Sequence, residues 1–449
     1  MARQFIKLMT PDLTPRKAAY FTLGCKLNFA ETSTIGKILA DKGFRRARPD
    51  ERPDICVVNT CSVTEMADKK DRSQIRRLVR KWPEATIVVT GCYAQLKPDE
   101  AASIEGVDIV LGSNEKLRIA QYIDEWEASR TKITETVGSR EILTFMPSCE
   151  RGDRTRFWLK VQDGCDYYCT YCTIPFARGR SRSGRIADLV AQARDVAEQG
   201  GKEIVLTGVN VGCFGLDTGE SFFDLLKALD AVEGIERYRI SSIEPNLLTP
   251  EIIRWIASEA RAFMPSFHIP LQSGSDTVLR LMNRRYDTDL FRSRIDLIRS
   301  LIPDAFIGVD IIAGARGETQ EEWRKSVEFV ESLPITRLHV FPYSERPGTA
   351  ALKLQAESVE AGERHRRGSE LQNISDKKLS EYMEGMIGQQ RRVLWEHTLH
   401  DDPSLMSGLT DNYIRVVAPA DEELLNSVTE VKITAVDTDR EETMIGERI

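Results

Sequence analysis

Short apolar runs alternate with longer amphipathic stretches along most of the chain. Ala18–Leu23 is apolar and leads through Gly24 and Cys25 into a helical pattern over Glu31–Lys42. Asp54–Asn59 leads through Thr60 and Cys61 into a helix covering Asp68–Lys81. Thr86–Thr90 precedes Gly91 and Cys92, and Asp108–Leu111 is a fourth run. Period-two or continuous apolar runs followed by period-3.6 stretches predict βα units and a parallel sheet. Ligands of such sheets gather outside the carboxyl ends of the strands. Each of the first three strands delivers a cysteine to that edge.

The stretch Ser129–Asp153 is polar and aperiodic, which predicts a linker with some strand character around Glu141–Phe145. Alternation then resumes. Candidate strands are Arg156–Val161, Glu203–Leu206, Tyr238–Ser241, Ser266–Ile269, Ala305–Ile311 and Arg337–Phe341, with helices such as Ile186–Gln199, Phe222–Val232 and Glu321–Ser332 between them. Six βα units predict a full or partial TIM-like barrel, with its active site at the C-terminal strand ends. Glu360–Met386 reads as a polar helix leading out of it. Beyond it Arg391–Trp395, Tyr413–Val417 and Val428–Val436 alternate in period two, as in a small antiparallel β-barrel. The expected organisation is an α/β protein. A parallel N-terminal α/β domain spans 15–128, a linker 129–150, a partial TIM-like (βα)6 barrel 151–384 and an antiparallel β domain 385–449.

Composition narrows the setting. With 41% hydrophobic and 29% charged residues the chain reads as soluble and globular. It contains no apolar run of the roughly 18 residues a membrane helix needs. Met1–Arg16 lacks the apolar core of a signal peptide, so a cytoplasmic location is expected. Nine cysteines in that setting are thiols or metal ligands rather than disulfides. The net charge of −7 argues against a generic nucleic-acid binder. It arises entirely beyond residue 385, where six basic residues face thirteen acidic ones.

Cys165, Cys169 and Cys172 form a C-x3-C-x2-C loop directly after the first barrel strand. A structural zinc site closes with four protein ligands, and no fourth Cys or His lies nearby in sequence. Three ligands to a [4Fe–4S] cluster leave one iron open to a substrate. A zinc site completed from afar, or unliganded thiols, are the alternatives. Cys25, Cys61 and Cys92 sit at equivalent positions after three successive strands. They form either a second three-thiolate site or three separate core thiols. Cys56, Cys149 and Cys213 read as packing residues.

The loop resembles that of the radical S-adenosylmethionine (SAM) enzymes. The wider string Lys160-Val-Gln-Asp-Gly-Cys165 through Cys172-Thr-Ile-Pro175-Phe-Ala-Arg178-Gly-Arg180-Ser-Arg182 is similar to that of the methylthiotransferases among them. So are Leu206-Thr-Gly208-Val-Asn210, His268-Ile-Pro270-Leu-Gln272-Ser-Gly274, Met282-Asn-Arg-Arg285-Tyr and Phe341-Pro-Tyr-Ser-Glu-Arg-Pro347. Leu23-Gly-Cys25-Lys-Leu-Asn28, Asn59-Thr-Cys61 and Thr90-Gly-Cys92 resemble the auxiliary-cluster motifs, and Gly408-Leu-Thr-Asp-Asn412 resembles the TRAM domain. The resemblance covers nearly the whole chain. Gly24-Cys25-Lys26-Leu-Asn28 and Ile240-Ser-Ser-Ile-Glu244-Pro245 look most like the branch acting on threonylcarbamoyladenosine in tRNA. Two sister branches act on isopentenyladenosine in tRNA and on ribosomal protein S12. A non-enzymatic iron–sulfur protein that binds RNA is the alternative of another class.

The resemblance implies two [4Fe–4S] clusters and SAM as cofactors. Cys165, Cys169 and Cys172 would hold the catalytic cluster that cleaves SAM, and Cys25, Cys61 and Cys92 the one that presents the methylthio group. It further implies tRNA, a flavodoxin- or ferredoxin-like electron donor and a sulfur source as partners. Tyr171, between two of these cysteines, would pack against the SAM adenine; Gly208 and Asn210, just past the second barrel strand, would meet the SAM amino-acid moiety; Glu244 and Gln272, ending later strands, are candidates for SAM or substrate contacts. His268 reads as a structural histidine. Two basic stretches are candidates for phosphate contact: Arg76, Arg77 and Arg80 on the helix after Cys61, and Arg178, Arg180 and Arg182 beside the cysteine loop.

Overall fold

The computed structural model describes residues 15–149 and 155–449. The stretch read for a leader at 1–14, and the junction of linker and barrel at 150 and 151, lie outside these residues. Strands β1 (Arg16–Thr22), β2 (Phe44–Arg46), β3 (Ile55–Thr60), β4 (Thr86–Gly91), β5 (Ile109–Leu111) and β6 (Ile133–Glu135) form one parallel sheet in the order β2-β1-β3-β4-β5-β6. Helices α1 (Lys26–Asp41), α2 (Glu65–Lys81), α3 (Cys92–Leu96), α4 (Pro98–Ala102) and α5 (Ile119–Ser129) cover it. The central strands are buried on both faces, so they read as continuous apolar runs. Alternate residues serve opposite layers. Cys56 and Val58 pack with Ile75 and Leu78 of α2. Ile55 and Val57 pack with Ile35 and Leu39 of α1. The short strands β2 and β6 carry no pattern of their own, and β6 turns part of the predicted linker into a sheet edge. Helix α2 starts at Glu65, three residues before the predicted Asp68, for chemical reasons. The Thr64 hydroxyl accepts from the Ala67 amide, Glu65 and Asp68 fill the first turn, and Arg80 and Lys81 fill the last.

Six parallel strands of the central domain stand where the alternation put them: β8 (Arg156–Lys160), β11 (Glu203–Thr207), β12 (Arg237–Ile240), β13 (Ser266–Gln272), β14 (Phe306–Ala313) and β15 (Arg337–Pro342). Short strands β7 (Ser148–Cys149), β9 (Gln162–Asp163) and β10 (Arg182–Ser183) flank the first, and α6 (Ile174–Arg178) follows the cysteine loop. The barrel is partial. One sheet runs β12-β11-β8-β7, with β7 antiparallel at its edge, and the other β13-β14-β15. The Ile243 amide, donating to the His268 carbonyl at 3.0 Å, helps join them. Phe157, Leu159, Ile204 and Leu206 face the outer helices. Trp158 and Val205, on the opposite face of the same strands, line the lumen. There they pack against Phe29 and Ala30 of α1.

The last segment closes into a five-stranded barrel, β16 (Gln390–Thr398), β17 (Leu405–Thr410), β18 (Arg415–Pro419), β19 (Val428–Val436) and β20 (Thr443–Arg448), in the order β16-β17-β18-β20-β19. Strands β17 and β20 escaped the alternation because each carries a glycine at a tight crossing. A Cβ on Gly408 would lie 2.4 Å from the Leu394 carbonyl, and one on Gly446 would lie 2.4 Å from Val431. This barrel forms the floor of the central one. Buried Arg237 donates to the carbonyls of Leu409 and Arg392 at 2.8 and 2.7 Å. Arg239 donates to those of Thr410 and Asp411, both at 2.9 Å. Glu203 lies between the two arginines, 2.8 Å from Arg239.

Candidate functional site

The three N-terminal cysteines follow β1, β3 and β4 on one edge of the sheet, and side-chain amides fix their loops together. Asn28 donates to the carbonyls of Leu23 and Thr60 at 2.8 and 2.9 Å, and Asn59 donates to the Asn28 carbonyl at 2.9 Å. Two glycines allow the approach. Gly24 has φ +96°, and a Cβ there would lie 2.8 Å from the Cys61 sulfur. Gly91 has φ +98°, and its Cβ would lie 2.4 Å from the Thr60 carbonyl.

Beneath these cysteines lies a buried charge network that joins the two α/β domains. Glu31 of α1, fully buried, meets Lys116 at 2.6 Å, Lys160 of β8 at 2.8 Å and Arg178 of α6 at 2.9 Å. Asp163 meets Lys160 at 2.7 Å, Arg178 at 3.1 Å and Arg182 at 2.9 Å. Four cations face two carboxylates. Arg178 also donates to the Asn28 side-chain oxygen at 2.6 Å. Burial raises the Cys92 thiol, and Arg178 and Lys116 pull it back down. The surplus positive charge is thus turned toward the thiol triad. This corrects the reading of Arg178 and Arg182 as phosphate contacts: both are buried and committed to carboxylates. Arg180 is exposed and 3.3 Å from Asp166, and Arg76, Arg77 and Arg80 are exposed on α2.

The loop of Cys165, Cys169 and Cys172 is pinned from the opposite sheet. The Thr170 amide donates to the Met282 carbonyl at 3.0 Å, and Arg285 stacks 3.9 Å from the centre of the Tyr167 ring. Arg284 is the residue the sequence reading missed. Its side chain is 3% exposed, donates to the Cys169 sulfur at 3.2 Å and to the Tyr171 hydroxyl at 3.4 Å, and forms an ion pair with Glu244. Its only signal was an arginine pair in an otherwise short, turn-like segment. Gln162 was missed as well. Its side-chain oxygen accepts from the amides of Val209 and Asn210 at 3.0 and 2.8 Å, which fixes the loop after β11.

The expected SAM-side residues therefore divide into two groups. Tyr171 and Glu244 gather around Arg284 beside Cys169. Gly208 and Asn210 gather around Gln162, where a Cβ on Gly208 would lie 2.9 Å from the Gln162 carbonyl. Gln272, at the end of β13, holds φ +67°, a strained position for a residue with a Cβ. Cys56 is fully buried in β3, Cys149 lies in β7, and Cys213 packs against Tyr167 and Cys169 at the edge of the loop. His268 is half-buried in the lumen, 2.7 Å from Asp310.

The two triads adjoin. Ser62, next to Cys61, accepts through its carbonyl from the Thr173 hydroxyl, next to Cys172, at 3.2 Å. Arg346 clamps the same point, donating to the Ser62 hydroxyl at 2.9 Å and pairing with buried Asp68 at 2.8 Å. Both sets of residues suit iron–sulfur clusters. Burial, with the neighbouring thiols adding to it, pushes Cys61 and Cys172 up to about 12 and Cys165 up to about 11. Such thiols ionise when a metal takes the charge. For SAM, the buried Asn210 side chain has no protein partner among the described residues for either polar atom, as a ligand-binding amide would.

A family model described as the uncharacterized protein family UPF0004 matches residues 17–112, and the radical SAM superfamily model matches residues 159–330. The chain is 37% identical to the threonylcarbamoyladenosine tRNA methylthiotransferase MtaB of Bacillus subtilis, covering 92% of this chain and 93% of that protein. It is 36% identical to the protein of the same name from Thermotoga maritima, covering 88% and 89%. It is 30% identical to a tRNA-2-methylthio-N(6)-dimethylallyladenosine synthase of Desulfitobacterium hafniense, covering 95% and 96%. Among solved structures it is similar in fold to the radical SAM methyltransferase TsrM of Kitasatospora setae, with a TM-score of 0.55 and 17% identity over 75% of this chain and 77% of that one.

Proposed function

Because the chain belongs to the radical SAM tRNA methylthiotransferase family, we propose that it adds a methylthio group to C2 of N6-threonylcarbamoyladenosine at tRNA position 37. Its cofactors are two [4Fe–4S] clusters and SAM. Cys165, Cys169 and Cys172 would hold one cluster, and Cys25, Cys61 and Cys92 the other. The observation that carries the reading is the contact of the two cysteine loops at Ser62 and Thr173. When bound, the SAM-side cluster supplies a radical able to take the unactivated hydrogen from C2.

The chain's own residues do the rest. Arg284 places a fixed positive charge against Cys169 and orients Glu244 for a ligand. Asn210 offers an unspent amide to the SAM amino-acid moiety. The surplus of Lys116, Lys160, Arg178 and Arg182 over Glu31 and Asp163 offsets three thiolates gathered on one cluster. α1 and the C-terminal barrel wall the lumen at its side and floor, which keeps water from a reactive intermediate. Exposed Arg76, Arg77 and Arg80 suit tRNA phosphates near the N-terminal triad. An electron donor of flavodoxin or ferredoxin type, a sulfur source and a cytoplasmic location complete the reading. Among the described residues no helix is long and apolar enough to cross a membrane.

The test is nucleoside mass spectrometry of tRNA from a host that lacks its own threonylcarbamoyladenosine methylthiotransferase and expresses this chain, with Cys169→Ala as control. A nucleoside heavier than threonylcarbamoyladenosine by one SCH2 unit, absent in the control, is expected. A methylthio group on isopentenyladenosine instead, or no new nucleoside from iron-loaded protein, overturns the assignment.

A further inference from the structure

Below the cysteine loop, the lumen of the partial barrel holds a chamber of about 210 Å³. Its charged lining is Lys26 of α1, Arg156 of β8 and Arg239 of β12, with the imidazoles of His268 and His339 opposite. Trp158 and Tyr413 supply aromatic wall, and none of the lining residues is a carboxylate. In a chain of net charge −7 this is a built concentration of positive potential. The Tyr413 phenol registers it. Burial raises that group, yet Lys26, Arg156 and Arg239 together hold it below its ordinary value.

Most of these cations are already spent. Arg239 is bound to Glu203 and to two floor carbonyls. Arg156 pairs with Glu396 at 2.7 Å. His268 is held by Asp310 at 2.7 Å, with the His339 ring 5.0 Å away. Lys26 has no ion-pair or hydrogen-bond partner among the described residues, although it is half-buried. His268, Asp310 and His339 lie close enough to hold a cation. Asp310 bears on His339 and is opposed by Arg337 and Lys26; with Lys26, Arg156 and Arg239 in the lining and no carboxylate among the lining residues, the chamber favours an anion.

The anion the chemistry supplies is on the substrate. The threonylcarbamoyl group carries a carboxylate and hangs on N6, and the isopentenyl group of the sister substrate carries no charge. One ring atom, N1, separates the carbon bearing N6 from C2, so the substituent lies near the reacting carbon. Lys26 stands next to Cys25 of the sulfur-handling triad. Resting on the function proposed above, we infer that this chamber is a carboxylate subsite and that Lys26 is its ion-pair partner and a specificity-determining residue.

The experiment uses the full chain with both clusters reconstituted. Synthetic anticodon stem–loops carry threonylcarbamoyladenosine, its neutral threoninamide analogue, or isopentenyladenosine. Binding is read by fluorescence anisotropy and methylthiolation in single turnovers. Wild type is expected to bind the acid roughly tenfold or more tightly than the amide, the worth of a charge-assisted hydrogen bond. Lys26→Met should erase that preference and leave affinity for the amide unchanged, and Lys26→Arg should keep it. Equal binding of acid and amide by wild type, or equal weakening of both in Lys26→Met, overturns the subsite while methylthiolation of the acid still stands. Methylthiolation of the isopentenyl loop alone overturns the functional reading and the subsite together.

Discussion

Replacing Glu31 by Gln tests whether the buried network holds the two α/β domains together. The change keeps the shape and one acceptor oxygen but removes the charge. Lys160 and Arg178 keep Asp163, at 2.7 and 3.1 Å. Lys116 does not: Glu31, at 2.6 Å, is its one ion-pair partner among the described residues, and its side chain is 2% exposed. Stranding one buried charge costs about 3–5 kcal/mol. A ceiling comes from proton release, since neutralising a lysine at pH 7 costs about 1.36 × 3.4, or roughly 5 kcal/mol. The signature is therefore a pH dependence. In the variant, burial and the fields of Arg178 and Lys160 depress Lys116, and only the field of Asp163 is left to oppose them. A depressed lysine means the unfolded state binds the extra proton, so stability rises with pH. Urea unfolding of the metal-free protein should show a deficit of about 3–5 kcal/mol at pH 7, shrinking by up to about 1.4 kcal/mol per unit toward pH 9. Glu31→Gln/Lys116→Met should recover most of it. A deficit under about 1 kcal/mol, or one that is flat with pH and unrelieved by the second change, would refute the reasoning.

Gly91→Ala should place a methyl against the Thr60 carbonyl at a strained φ, costing about 1–3 kcal/mol locally. Iron analysis should then show half the wild-type content, with SAM cleavage retained and methylthiolation lost. Arg284→Met removes a positive charge 3.2 Å from the Cys169 sulfur. The SAM-side cluster should become harder to reduce, seen as a more negative midpoint in an EPR-monitored titration; an unchanged midpoint counts against the contact. Burial, with His268 adding to it, holds His339 down at about 4. A histidine depressed on folding contributes stability above pH 6.5 that is lost as pH falls through about 4, at most about 3 kcal/mol. His339→Gln should flatten unfolding free energy across that window. Exchanging Arg76 and Arg80 for Glu should weaken tRNA binding and lower the salt slope by about 1 per lost phosphate contact; an intact slope would place RNA elsewhere.

The alternation of apolar runs located the long strands of both α/β domains because each buries at least one face and carries its own pattern. It missed β2 and β6, three-residue edges whose pairing comes from their neighbours. It missed β17 and β20 because their glycines satisfy a steric need that lowers strand propensity. The cysteines were legible because their spacing is itself the chemistry. Arg284, Gln162 and Glu31 were not, since a polar residue becomes a site residue only through partners distant in sequence. Arg178 and Arg182 show the converse. A basic run reads as a solvated face, and only the carboxylates of other elements turned it inward.

The floor of the central barrel has a consequence for how the chain is made. Arg239 grips carbonyls at 410 and 411, which emerge 171 and 172 residues later. At ribosomal rates of about 5–20 residues per second, Arg239 waits roughly 9–34 s for them. Part of the rim that waits is polar: Glu203, Arg237 and Arg239 stand beside the apolar Phe306. Water can satisfy those groups until the carbonyls arrive. Those three residues thus add no apolar surface to the chain during the period when it is least complete.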